Sequence, residues 1–145
     1  MYRIYIDGAA RGNPGPSAAG FVVLDGKGEE IYRYGKSLDP TTNNCAEYEA
    51  LIEALNYLLY RADHAPGGRR IDAQVPVIYS DSELLVQQMN GRYRVRNYKL
   101  IELNRKAKEL VARIGVVRIV HIPRSRNLTA DRIVNRVLDG LDYGL

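Results

Sequence analysis

The chain has no tryptophan, a single phenylalanine, two histidines and a single cysteine among its 145 residues. One thiol, Cys45, cannot close an internal disulfide, which suits a reducing compartment. No apolar run approaches the length of a membrane span, and the amino-terminal residues lack the charged and apolar regions of a signal peptide. A soluble cytoplasmic protein, away from membranes, is therefore expected. Neither an internal repeat nor a low-complexity segment occurs, which excludes solenoids and linker-like chains. The scarcity of other aromatics contrasts with eleven tyrosines, whose account at this level is packing with a polar end. At this length residues 1–145 fit one domain that can bury a core, and a monomer is the default.

The net charge of +4 is unevenly spread, because Arg92, Arg94, Arg96, Lys99, Arg105, Lys106 and Lys108 crowd together. Such a concentration marks either a surface for a polyanion or a solvated basic helix. Along the chain, residues 2–6 form a β-branched and aromatic run ending on Asp7, and the glycines and prolines up to Pro16 then read as a tight turn. Residues 20–24 and 30–38 read as two more strands around an Asp-Gly hairpin turn at 25–28, giving an antiparallel meander. From Asn43 the period becomes helical to about Ala62, and residues 65–74 form a turn-rich loop. A buried strand at 75–79, helices at 83–89 and 100–114, a strand at 116–122 and a last helix from about Thr129 to Gly140 complete the order. Strands alternating with helices after a meander predict an α/β protein whose mixed sheet is covered by helices on both faces.

Four acids fall at element ends or on an inward helix face, and each has a purely structural reading beside a chemical one. Asp7 closes the first strand or caps its turn. Glu47 lies on the apolar stripe of its helix, or completes a capping box with Asn44. Asp81 follows a strand, where it either faces the carboxyl edge of the sheet or caps the next helix. Asp131 sits in the first turn of the last helix, where an acid also favours the helix dipole. Four coincidences in one small domain suggest a shared cause. Clustered carboxylates repel one another unless a cation lies among them, and hard oxygen ligands without His or Cys companions suit Mg²⁺ or Mn²⁺. An acid cluster with a basic flank is the layout of metal-assisted phosphodiester chemistry.

The segments YIDGAARGNPGP, TTNNCAEYEAL, VIYSDSELLV and HIPRSRNLTAD, in this order and spacing, make the chain resemble a type 1 ribonuclease H over essentially its whole length. The resemblance implies a ribonuclease H-like fold, with a five-stranded mixed sheet in the order 3-2-1-4-5. It also implies endonucleolytic cleavage of the RNA strand of RNA/DNA hybrids with two Mg²⁺ or Mn²⁺ ions, leaving 5′-phosphate and 3′-hydroxyl ends. On that reading Asp7 bridges both ions, Glu47 and Asp81 complete one site and Asp131 the other. Asn13, Asn43 and Asn44 become candidates for minor-groove contacts. Arg124 becomes the candidate for steadying the scissile phosphate, since a guanidinium does so without titrating. His121 is its rival, although its strand parity with Val117 and Ile119 equally suits a partly buried structural histidine.

Two departures stand out. The long basic handle that many relatives carry after the third acid is absent, and Arg92, Arg94 and Arg96 are expected to replace part of its phosphate grip, with salt-sensitive binding. Glu83 stands where many relatives carry a substrate-touching Gln. The competing reading is a catalytically silent module that binds hybrids or double-stranded RNA, against which four intact acids argue. A DNA-cutting relative is disfavoured by the asparagine pattern.

Overall fold

The structure is a computed structural model that describes residues 2–64 and 75–144. Its first half is the expected meander: β1 (Arg3–Ala10), β2 (Gly15–Leu24) and β3 (Glu30–Thr41) pair antiparallel. After α1 (Asn43–Asp63) the chain returns as β4 (Val77–Ser80), parallel to β1, and then runs through α2 (Glu83–Met89) and α3 (Tyr98–Ile114). Strand β5 (Arg118–His121) adds in parallel to β4, a 3₁₀ turn (Arg124–Arg126) follows, and α4 (Leu128–Leu138) closes the fold. The sheet order is β3-β2-β1-β4-β5, as expected.

The alternation of β1 decides which face is which. Ile4 and Ile6 are fully buried and lie opposite Val23 and Phe21 of β2. Onto this face packs the stripe Ala46, Ala50, Leu51, Ala54, Leu55 and Leu58 of α1, each buried. Gly20 and Gly35 pair across β2 and β3 on the opposite face and leave a smooth floor for α4. A Cβ on either would come within 2.8 or 2.7 Å of Ile133 Cγ2. The tyrosines receive their packing account here: Tyr32 stacks on Tyr57 at 5.0 Å, Phe21 contacts both, and Tyr5 stacks on Tyr79 at 4.7 Å.

Element bounds differ from the sequence reading where tertiary pairing overrides local signals. Strand β1 does not end at Asp7, because Gly8, Ala9 and Ala10 remain in register with Ala19, Ala18 and Ser17; the turn is confined to residues 11–14. Strand β3 likewise runs on to Thr41, whereas β4 and β5 are shorter than their apolar runs. Helix α3 begins two residues early, where Asn97 Oδ1 accepts from the amides of Lys99 and Leu100. The loop expected at 65–74 lies outside the described residues. Among the described residues no helix is long and apolar enough to cross a membrane.

Candidate active site

The site is built where α1 starts against the middle of β1. Gly8 makes this possible, since a Cβ there would fall on the carbonyl of Ala46 and within 2.5 Å of the Glu47 amide. The close approach lets Glu47 Oε1 accept a 2.5 Å hydrogen bond from the Gly8 amide. The capping box with Asn44 does not form: the N-cap is Thr42, whose hydroxyl accepts from Cys45 N at 3.2 Å. Glu47 therefore lies two residues past the capping-box position and reaches the sheet instead. Asp81 is not a cap either, because Ser82 takes that place and accepts from Leu85 N at 3.2 Å. Asp131 does lie in the first turn of α4.

Asp7 and Glu47 are both 6% exposed, and with Asp81 each offers a carboxylate oxygen within 4.8 Å of the other two. Asp131 is not part of that triad, yet its charge still reaches Asp7. Burial is the main reason that the Asp7 carboxyl is pushed up to about 7, with the charges of Asp81 and Asp131 adding to it. Burial, then the charge of Asp7, holds Glu47 well above the usual carboxylate range. Glu47 Oε2 is buried with no hydrogen-bond partner. A costly, incompletely bonded acid pair of this kind is what a hard divalent cation would relieve, so an all-oxygen Mg²⁺ or Mn²⁺ site fits these residues.

Asn127 is a residue that the sequence reading did not single out. Its buried Nδ2 donates to the Ile6 carbonyl at 2.8 Å and to Asp81 Oδ2 at 3.0 Å, while its backbone carbonyl accepts from the Asp131 amide at 3.1 Å. The side chain thus ties β1 to Asp81 at the end of β4, while the Asn127 backbone opens α4 four residues before Asp131. The signal available in the sequence was its position four residues before Asp131, opening the last helix.

The other candidates have exposed side chains. Asn13 Oδ1 accepts from the Asn43 amide at 3.0 Å, and Asn43 Oδ1 accepts from Ala10 N at 2.7 Å; Asn44 is exposed. These two asparagines therefore brace the turn against α1 with their carbonyl oxygens. Arg92, Arg94 and Arg96 are exposed in the short connection 90–97 between α2 and α3. Glu83 Oε1 accepts from the Tyr93 hydroxyl of that connection at 3.4 Å. Arg124 is exposed at the head of the 3₁₀ turn. His121 is exposed at the last position of β5, opposite Ser80, so the reading of a partly buried structural histidine does not hold.

The sheet order and the acid triad at the junction of β1, α1 and β4 define a ribonuclease H-like domain. The model of the reverse transcriptase-like family matches residues 5–137, and the chain belongs to that family, in its type 1 ribonuclease H group. The chain is 37% identical over 135 residues to a ribonuclease HI of Halobacterium salinarum, covering 93% of this chain and 63% of that protein. It is 33% identical over 137 residues to a bifunctional protein of Mycobacterium tuberculosis, covering 94% of this chain but 35% of that one. It thus spans under two thirds of the length of these relatives. Among solved structures, LC11-RNase H1 in complex with an RNA/DNA hybrid superposes with a TM-score of 0.88 at 39% identity, over 97% of this chain and 98% of that one.

Proposed function

We propose that this chain is a metal-dependent endoribonuclease that cuts the RNA strand of RNA/DNA hybrids and leaves 5′-phosphate and 3′-hydroxyl ends. The observation that carries the reading is the buried triad Asp7, Glu47 and Asp81, with an unpartnered oxygen on Glu47 and an Asp7 carboxyl raised to about 7. The hybrid held by LC11-RNase H1 supports the choice of substrate. Asp7 would serve two ions, Glu47 and Asp81 one of them and Asp131 the other. Bound Mg²⁺ or Mn²⁺ supplies an acidified water and charge compensation at the departing 3′ oxygen. Gly8 and Asn127 hold Glu47 and Asp81 so that their oxygens converge before any ion arrives. Asn13, Asn43 and Asn44 sit beside this centre with amide groups suited to minor-groove acceptors and the ribose 2′-hydroxyl.

The test is cleavage of a labelled hybrid, with DNA and RNA duplexes as controls, in Mg²⁺, in Mn²⁺ and in chelator. Metal-dependent cutting of the hybrid's RNA strand alone is expected. Binding without cutting in either metal favours the silent module.

Two further outcomes follow from the surrounding residues. Arg124→Ala is expected to lower turnover by about 10–100-fold at unchanged metal affinity, as for loss of one donor to a developing charge, whereas His121→Ala costs less than about threefold. Full turnover by Arg124→Ala would remove it from the site. Replacing Arg92, Arg94 and Arg96 together by alanine is expected to weaken hybrid binding and flatten the plot of log K against log salt by about 2–3 units. An unchanged slope would show that these arginines do not meet phosphate.

A further inference from the structure

A buried polar network lies beside the acid site without belonging to it. Tyr48, the neighbour of Glu47 in α1, is fully buried, and its hydroxyl donates to Gln88 Oε1 of α2 at 2.8 Å. The same hydroxyl accepts from Asn104 Nδ2 of α3 at 3.2 Å, and that amide also reaches Met89 Sδ at 3.4 Å. Gln88 and Asn104 are 4% and 7% exposed, so one phenol joins three helices inside the core. Buried polar groups in a satisfied network hold a particular arrangement, because any shift leaves amide atoms without partners.

The two helices so joined are those that flank the basic connection 90–97. Its first half hangs from the end of α2, where the Gln87 carbonyl accepts from the amides of Arg92 at 2.9 Å and Tyr93 at 3.2 Å. Asn90 Nδ2 ties the same end to the Ile119 carbonyl at 3.2 Å. Its second half runs into the Asn97 cap of α3. Helix α2 spans only seven residues, too few to keep its own direction without tertiary contacts.

We propose that Tyr48 is a positioning residue for substrate: through Gln88 and Asn104 it holds both ends of the basic connection at a fixed place relative to Glu47. The inference rests on the hybrid-cleaving reading and says which feature of the core sets the offset between phosphate grip and acid site. Loosening the network leaves the acids in place and blurs the grip, so it acts on binding rather than on chemistry.

The experiment compares wild type, Tyr48→Phe and Gln88→Met. Hybrid binding is measured in chelator, KM and kcat in Mg²⁺, and amide exchange by NMR. Both variants are expected to raise Kd and KM about tenfold with kcat within about twofold. Exchange at the Arg92 and Tyr93 amides is expected to quicken about tenfold while β1 amides keep their protection. A lower melting temperature with KM and these two amides unchanged, in whichever variant folds, overturns the proposal and leaves the network a structural pin. Wild-type protein that neither binds nor cuts the hybrid overturns the functional reading itself, a failure distinguishable because no variant is then needed to see it.

Discussion

Asp7→Asn is expected to lower hybrid cleavage by about 10³-fold or more while raising the melting temperature of the metal-free protein by about 3–6 °C near pH 8. The two effects come from the same crowding. In the folded, metal-free chain the Asp7 carboxyl titrates at about 7 against an ordinary 3.8, chiefly because it is buried and then because Asp81 and Asp131 are near. The folded state therefore holds a proton that the unfolded state has released between those two values, and its stability falls as pH rises through that window. Glu47 is shifted in the same direction and adds to the slope. Full conversion of the Asp7 shift would reach about 4 kcal/mol, and relaxation around a buried acid reduces this to about 1–2 kcal/mol. An amide at position 7 carries no charge to repel, so Asn removes this penalty and the metal function together. Mg²⁺ should reverse the sign for the wild type, because the cation competes with protons and binds better as pH rises. Melting curves from pH 4.5 to 8.5, in chelator and in Mg²⁺, read all of this. A metal-free wild type that gains stability across that range would mean that the acids ionise without help, and the cation argument would fall.

How far the site could be read from the sequence differs from residue to residue. The positions of Asp7, Glu47, Asp81 and Asp131 were legible because periodicity places each at an edge or on an inward face, and the motif order supplied what single residues could not. What each acid does locally was less visible. Asn44 and Glu47 have the spacing of a capping box, but Thr42 won the cap by starting the helix earlier, which only the length of β3 decides. The end of β1 was misplaced because glycine and proline are read as turn residues, whereas Gly8 is there for a neighbouring backbone. The place of Asn127 at the head of the last helix was legible but its partners were not, because Ile6 and Asp81 lie 121 and 46 residues away. The mixed sheet with helices on both faces followed from element order, since a meander followed by alternating strands and helices leaves few arrangements, whereas the strand order 3-2-1-4-5 came from the resemblance to type 1 ribonuclease H.

Gly8→Ala shows how much depends on that one missing side chain. A strand interior ordinarily favours alanine over glycine, so propensity alone predicts a small gain in stability. The structure predicts the reverse: a loss of about 2–4 kcal/mol in stability and of about 10²-fold or more in cleavage. The atoms that a Cβ would meet are the backbone carbonyl of Ala46 and the amide of Glu47, which no rotamer change can move aside. Helix α1 is anchored on the sheet further along by Leu51, Leu55 and Leu58, so relief means lifting its first turn away from β1. That motion breaks the Gly8 to Glu47 hydrogen bond and withdraws one acid from the triad. Gly20→Ala is the comparison, because its new methyl group meets Ile133 Cγ2 of α4 at 2.8 Å and the Tyr34 carbonyl at 3.1 Å and touches neither Glu47 nor its helix. Gly20→Ala should cost about 1–3 kcal/mol and leave metal affinity unchanged. Chemical denaturation and Mn²⁺ titration of both variants separate the cases. If Gly8→Ala binds Mn²⁺ as tightly as the wild type, then Glu47 does not depend on the close approach of helix to strand.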